Sequence, residues 1–121
     1  MAKLSRSEIA GYAVQAGFSG QDLDIAVAIA LAESGGDPDV LGDLSLGISV
    51  GLWQVNLRWH PEYTEAELRD PQTNANAAYK IYSAAHHSFT PWSTYKSSAY
   101  LTHLPPNPAA VPPAEPQDSD S

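Results

Sequence analysis

The stretch Ile25-Ala-Val-Ala-Ile-Ala-Leu-Ala-Glu-Ser-Gly-Gly36 decides how the rest of the chain must be arranged. From Ile25 to Ala32 every residue is apolar, so a helix formed here has no polar side and must be covered on most of its circumference. Ser19-Gly-Gln-Asp22 opens this helix, and Asp22 and Asp24 in its first turns suit the positive end of the helix dipole. Gly35-Gly36 and Asp37-Pro38 end it. Glu33 stands where the apolar run meets the loop. A carboxylate there is either tuned by its surroundings for chemistry or accepts hydrogen bonds from nearby backbone amides.

The flanking segments supply the cover. Ser5-Arg-Ser-Glu8 has capping-box spacing, and Ile9, Tyr12, Ala13 and Ala16 fall on one face of a helix predicted over residues 6–16, with Gly17 as its stop. After the central helix, Leu44-Ser-Leu-Gly-Ile-Ser-Val50 alternates with period two, which predicts a short strand or hairpin. Leu52-Trp-Gln-Val-Asn56 either extends it or begins a helical turn. Thr64-Glu-Ala-Glu67 caps a short helix that ends before Pro71. Asp70-Pro71 reads as N-cap and N1 of a fourth helix, with Ala75, Ala78, Tyr79, Tyr82 and Ala85 as its inward stripe. Thr90-Pro91 repeats that arrangement for a final helix lined by Trp92, Tyr95 and Ala99. The expected fold is mainly α, of α+β kind: about five helices around a central buried helix, with a small irregular β-hairpin element. Residues 1–104 form the predicted domain. Residues 105–121 hold six of the ten prolines, several acids and no aromatic, the composition of a disordered or extended tail.

Composition narrows the function. With 121 residues the chain is one domain with a small core. There is no cysteine, which excludes disulfides and thiolate chemistry. The net charge is −8, of which Glu115, Asp118 and Asp120 carry three charges in the tail. That balance argues against nucleic acid or an anionic membrane as partner and is compatible with a neutral glycan. Ile25–Ala32 is far too short to span a bilayer, so no membrane insertion is expected. Ser7, Glu8, Tyr12 and Gln15 interrupt any apolar core of a signal peptide. His60, His86, His87 and His103 have no metal-ligand spacing, Glu62, Glu65 and Glu67 read as a solvated face, and neither metal nor cofactor is expected.

Partial burial of Glu33 against Ala, Leu and Ile would raise its pKa, as a general acid for glycosidic cleavage requires. Gln54 and Asn56 follow a glycine-flanked turn and can offer amides to the polar edge of a sugar. Trp53, Trp59 and Trp92 either present faces for sugar stacking or pack in the core.

Three blocks in order, Ala32-Glu-Ser-Gly-Gly-Asp-Pro38, Ser49-Val-Gly-Leu-Trp-Gln-Val-Asn56 and Asp70-Pro-Gln-Thr-Asn74 with Ala77-Ala-Tyr79, resemble the soluble lytic transglycosylase family of the lysozyme-like superfamily, near goose-type lysozymes. Gly51-Leu-Trp-Gln-Val-Asn56 and Pro91-Trp-Ser-Thr-Tyr95 resemble the actinobacterial and phage-type domains most. The resemblance covers roughly residues 20–100. It implies a peptidoglycan-cleaving enzyme in which Glu33 protonates the glycosidic oxygen and then acts as base on the 6-hydroxyl of N-acetylmuramic acid. It implies that Ser49 binds substrate or orients the acid, that Gln54 lies at the cleft floor, and that Asn74 has a structural role at a helix start; Asn56, Trp53 and Tyr95 complete the candidate substrate-binding set. Many members also carry an aromatic-Asn-Ala-Gly segment whose tyrosine assists near the glutamate; nothing here matches it, and Tyr95 is the nearest candidate.

A hydrolase of the N-acetylmuramidase type needs a second carboxylate about 5–9.5 Å from the acid. Asp43 is the candidate, because Asp37 and Asp39 flank Pro38 and read as turn residues. A non-catalytic glycan-binding or structural module of a virion or injection device, partnered through the tail, is the reading from a different class. Peptidoglycan lies outside the cytoplasmic membrane, so the lack of a signal peptide points to a phage lysin, a virion component or non-standard export. The isolated chain is expected to be monomeric.

Overall fold

The computed structural model describes residues 3–42 and 47–105. Helix α1 (Arg6–Ala16) starts in a complete capping box, Ser5 Oγ accepting from the Glu8 amide and Glu8 accepting from the Ser5 amide, and ends at Gly17. Helix α2 (Gly20–Ser34) is the apolar one. Ala26 to Ala30 are all buried, and Gly35 ends the helix in the left-handed region at φ 65°. Its cover is α1 on one side and the C-terminal segments on another. Among the described residues no helix is long and apolar enough to cross a membrane.

The loop after α2 forms a three-stranded antiparallel sheet of very short strands, in the order β1 (Leu41–Gly42), β2 (Ser49–Val50), β3 (Val55–Asn56). The register sets Ser49 opposite Asn56 and Val50 opposite Val55. Three of the seven residues of the expected alternating strand, Leu44 to Leu46, lie outside the described residues, and Leu52-Trp-Gln54 is a turn that delivers β3. That turn rests on Gly51, at φ 75°, where an added Cβ would lie 2.6 Å from Asn74 Nδ2 and 2.8 Å from the Leu68 carbonyl oxygen.

Thr64 caps α3 (Glu65–Arg69) as its spacing requires, and Asp70 caps α4 (Pro71–Ala84) by accepting from the Thr73 amide and hydroxyl. From the expected stripe, Ala75, Ala78 and Tyr82 are buried, while Tyr79 is half-buried. The Tyr82 hydroxyl donates to Asp22 in the first turn of α2. Phe18 sits at the centre of the aromatic core, with the rings of Tyr79, Tyr82, Phe89 and Trp53 around it at 5.0–6.4 Å. His86 and His87 follow the end of α4, both with positive φ, and the His87 ring stacks on Tyr82.

The expected final helix is two pieces. Helix α5 is a single turn (Ser93–Lys96), and Ser98 in the left-handed region separates it from a 3₁₀ helix (Ala99–His103). Thr90 does not cap it; the residue in the N-cap position is Trp92. The spacing of Trp92, Tyr95 and Ala99 is helical, but the Ser97-Ser98 pair favours a turn over helix continuation. Asp43 and residues 106–121 lie outside the described residues, so neither the second-carboxylate expectation nor the tail is addressed by the fold.

Candidate active site

At the C-terminal end of α2 the chain encloses a hollow of about 410 Å³. Its lining joins Glu33 with Ser49, Gln54 and Asn56 from the sheet, and with Trp59, Pro91, Trp92 and Ser93. Four residues singled out in the sequence, Glu33, Ser49, Gln54 and Asn56, are thus brought together from segments up to 23 positions apart.

Glu33 is half-buried, and burial pushes its carboxyl above the ordinary value of 4.5. The hydroxyl and main-chain amide of Thr94 work against that rise by hydrogen bonding to the charged form, but desolvation is the larger influence. Thr94 Oγ1 donates to Glu33 Oε2 at 2.9 Å. Glu33 is the one titratable group among the described residues that line the hollow. A carboxyl that stays protonated to higher pH beside such a hollow is suited to give a proton to a polar ligand atom.

The opposite wall is built by cross-strand pairing. Ser49 is 7% exposed, and its Oγ accepts from Asn56 Nδ2 at 3.1 Å, the direct consequence of their facing positions on β2 and β3. Among the described residues the Ser49 hydroxyl has no acceptor for its own proton. Gln54, at φ 51°, gives its amide protons to the carbonyls of Val40 (3.1 Å) and Gly51 (3.0 Å). Asn56 Oδ1 accepts from the Arg58 amide at 2.8 Å. Both amides line the hollow, yet they spend hydrogen bonds holding the loop; the expectation that they are offered freely to a sugar is corrected to this extent.

Two further expectations change. Trp53 is 1% exposed, with its indole N–H donating to the Ala26 carbonyl at 2.9 Å, so it is a core residue and does not line the hollow. Its aromatic face is taken up by Phe18. Tyr95 stacks on Tyr100 at 5.0 Å and packs beside Phe89 at 5.8 Å, away from the hollow's lining. The hydroxyl that bonds Glu33 belongs to its neighbour Thr94. Thr94 lies in the same segment, Pro91-Trp-Ser-Thr-Tyr95, and the backbone of a one-turn helix decides which of its side chains turns toward α2.

The three tryptophans divide by exposure. Trp53 and Trp92 are buried, Trp92 forming part of the wall while its indole N–H donates to the Trp53 carbonyl at 2.9 Å. Trp59 is 67% exposed at the rim, with the Arg58 guanidinium 5.4 Å above its ring. Asp37 and Asp39 are turn residues: Asp37 accepts from the Asp39 amide at 2.9 Å, and Asp39 faces Arg69 at 3.5 Å. No group of three or more His, Asp or Glu that could hold a metal occurs among the described residues.

No curated protein and no solved structure matches the chain. The sequence pattern of the family described as "Lysozyme like domain" matches residues 10–94, a span that begins within α1 and takes in Glu33, the whole three-stranded sheet, α4 and Thr94. The chain therefore belongs to this lysozyme-like family, whose general activity is that of glycosidases and transglycosylases on peptidoglycan.

Proposed function

We propose that the protein is a peptidoglycan lytic transglycosylase that cuts the β-1,4 bond between N-acetylmuramic acid and N-acetylglucosamine. The observation that carries this reading is a half-buried Glu33 whose carboxyl is raised by burial, in a hollow it shares with Ser49, Gln54, Asn56 and Trp59. A hydrolase of the usual kind places its second carboxylate within about 5–9.5 Å of the acid. A transglycosylase has no need of one. Glu33 gives its proton to the glycosidic oxygen as the bond to C1 breaks. The carboxylate so formed then takes the proton of the muramic 6-hydroxyl as that oxygen closes on C1, leaving a 1,6-anhydro end and consuming no water.

The walls support the same substrate class. The Ser49 hydroxyl has a proton to donate to an acetamido carbonyl, and the exposed face of Trp59 suits the apolar face of a pyranose. Residues 1–104 constitute the enzyme in this proposal, residues 105–121 a tail that reaches an assembly partner, and the setting is a phage lysin or virion component acting on the cell wall.

Glu33→Gln on purified cell wall is the test of the enzymatic reading. The variant should release no soluble glycan, and retained lysis would overturn it. Product mass decides the chemistry: 1,6-anhydromuramic ends mean transglycosylase, and reducing ends mean a hydrolase. Binding to cell wall with no soluble product from the unmutated chain would favour a non-catalytic module.

A further inference from the structure

We propose that Thr94 is the positioning residue for Glu33, holding Oε2 with its hydroxyl so that Oε1 is the oxygen that carries and delivers the proton. This deepens the reading of Glu33 as acid and then base, and it rests on that reading. The geometry is direct, with Thr94 Oγ1 2.9 Å from Glu33 Oε2. Among the described residues Glu33 has no ion pair and no hydrogen bond from another side chain, and the main-chain amide that also favours its charged form is that of Thr94 itself.

What places the hydroxyl is a closed frame of buried indoles. Helix α5 has no side-chain cap of its own. Its position is set by Trp92 just before it, whose indole N–H donates to the Trp53 carbonyl at 2.9 Å. The Trp53 indole in turn donates to the Ala26 carbonyl, also at 2.9 Å. Ala26 lies on α2 about two turns before Glu33. The path from Glu33 back along α2 to Ala26, through Trp53 and Trp92 to Thr94, therefore returns to Glu33 and fixes donor and acceptor relative to each other. A β-branched side chain at position 94 adds stiffness at χ1.

The chemistry follows from lone pairs. A hydroxyl donating to Oε2 is accepted better by a carbonyl oxygen than by a protonated one, so the acid form of Glu33 favours its proton on Oε1. When that proton passes to the glycosidic oxygen, the Thr94 bond becomes charge-assisted and stronger. An interaction that strengthens as the proton leaves favours the transition state over the bound substrate. In the second half, Oε1 takes the proton of the 6-hydroxyl and the starting state is restored. No bond to Thr94 is made or broken.

The test uses the full chain with Thr94→Val, which keeps the shape and removes the donor, beside Thr94→Ser, which keeps the donor. Two readouts are compared: the NMR titration of the Glu33 carboxyl carbon, and the pH dependence of cleavage of purified peptidoglycan. In Thr94→Val the titration should move to higher pH, because a donor that favours the charged form is lost, and kcat should fall about tenfold with KM little changed. The upper limb of the pH profile should move the same way, and Thr94→Ser should restore all three. No other titratable group lines the hollow among the described residues, so the shift reports Glu33. An unmoved titration, a wild-type kcat in Thr94→Val, or a Thr94→Ser that behaves as Thr94→Val would each overturn the proposal. Thr94→Ala removes the same hydroxyl with less bulk and must agree with Thr94→Val. Should the unmutated protein cleave nothing, the enzymatic reading falls by itself, and the carboxyl titration still decides the Thr94 contact.

Discussion

Glu33 stands under two opposed influences: burial, which disfavours its charged form, and Thr94, which favours it. Burial wins, so the folded chain binds the Glu33 proton more tightly than the unfolded chain does. The consequence for stability has a definite sign. Below the unfolded carboxyl pKa the group is neutral in both states and costs nothing; as pH rises through the folded pKa, the native state must hold a desolvated carboxylate and loses stability. Glu33→Gln should therefore be more stable than the parent at pH 7, by no more than about 1 kcal/mol because solvent screens the exposed part of the group. The gain should vanish near pH 4. Thermal melts of both proteins across that range check it, and a variant less stable than the parent at pH 7 would show Glu33 to be a structural cap. This much was foreshadowed in the sequence, where a lone carboxylate ends an apolar run. Its partner was not, since Thr94 lies 61 positions away.

Between elements, the decisive connection is a buried carboxamide. Asn74 on α4 is fully buried, accepts from the Trp53 amide at 2.9 Å, and donates to the carbonyls of Val50 (2.7 Å) and Leu68 (2.9 Å). It joins α4, α3 and the turn between β2 and β3. Asp70 holds the start of α4, so the sequence expectation of Asn74 at a helix start is widened: its side chain reaches away from its own helix. Asn74→Ala would strand three buried main-chain groups, at about 1–3 kcal/mol for each left unsatisfied. The expected loss is on the order of 3–5 kcal/mol, read as a lower urea midpoint, with the Ser49 to Asn56 wall loosened. A loss under about 1 kcal/mol would mean that these groups find other partners.

On the scale of the whole molecule, core and site are one construction. The indole bonds that bury Trp53 and Trp92 also set the distance between α2 and α5, and hence between Glu33 and Thr94. Trp92→Phe keeps an aromatic ring but removes the donor and leaves a gap. It should cost about 2–3 kcal/mol in stability. It should also move the Glu33 titration in the same direction as Thr94→Val, although residue 92 makes no hydrogen bond to Glu33. Denaturant melts together with the carboxyl titration check both; a destabilised protein with an unmoved titration would mean that α5 is held by other contacts.

The sequence by itself determined the apolar central helix, the two capping boxes, the Asp70-Pro71 helix start and the carboxylate at the end of α2. Each of these rests on local rules: periodicity, turn chemistry, and the hydrogen bonds of a chain with its near neighbours. Tertiary structure alone decided which tryptophan is exposed, which hydroxyl meets Glu33, and where the amides of Gln54, Asn56 and Asn74 are spent. Composition gives Trp53, Trp59 and Trp92 the same chemistry; their difference is the direction of a side chain from a short turn. That direction is set by hydrogen bonds between residues 27 and 39 positions apart, which no local pattern encodes. The helix that carries Glu33 could be read from its own residues, and the surroundings that turn Glu33 into an acid came from packing.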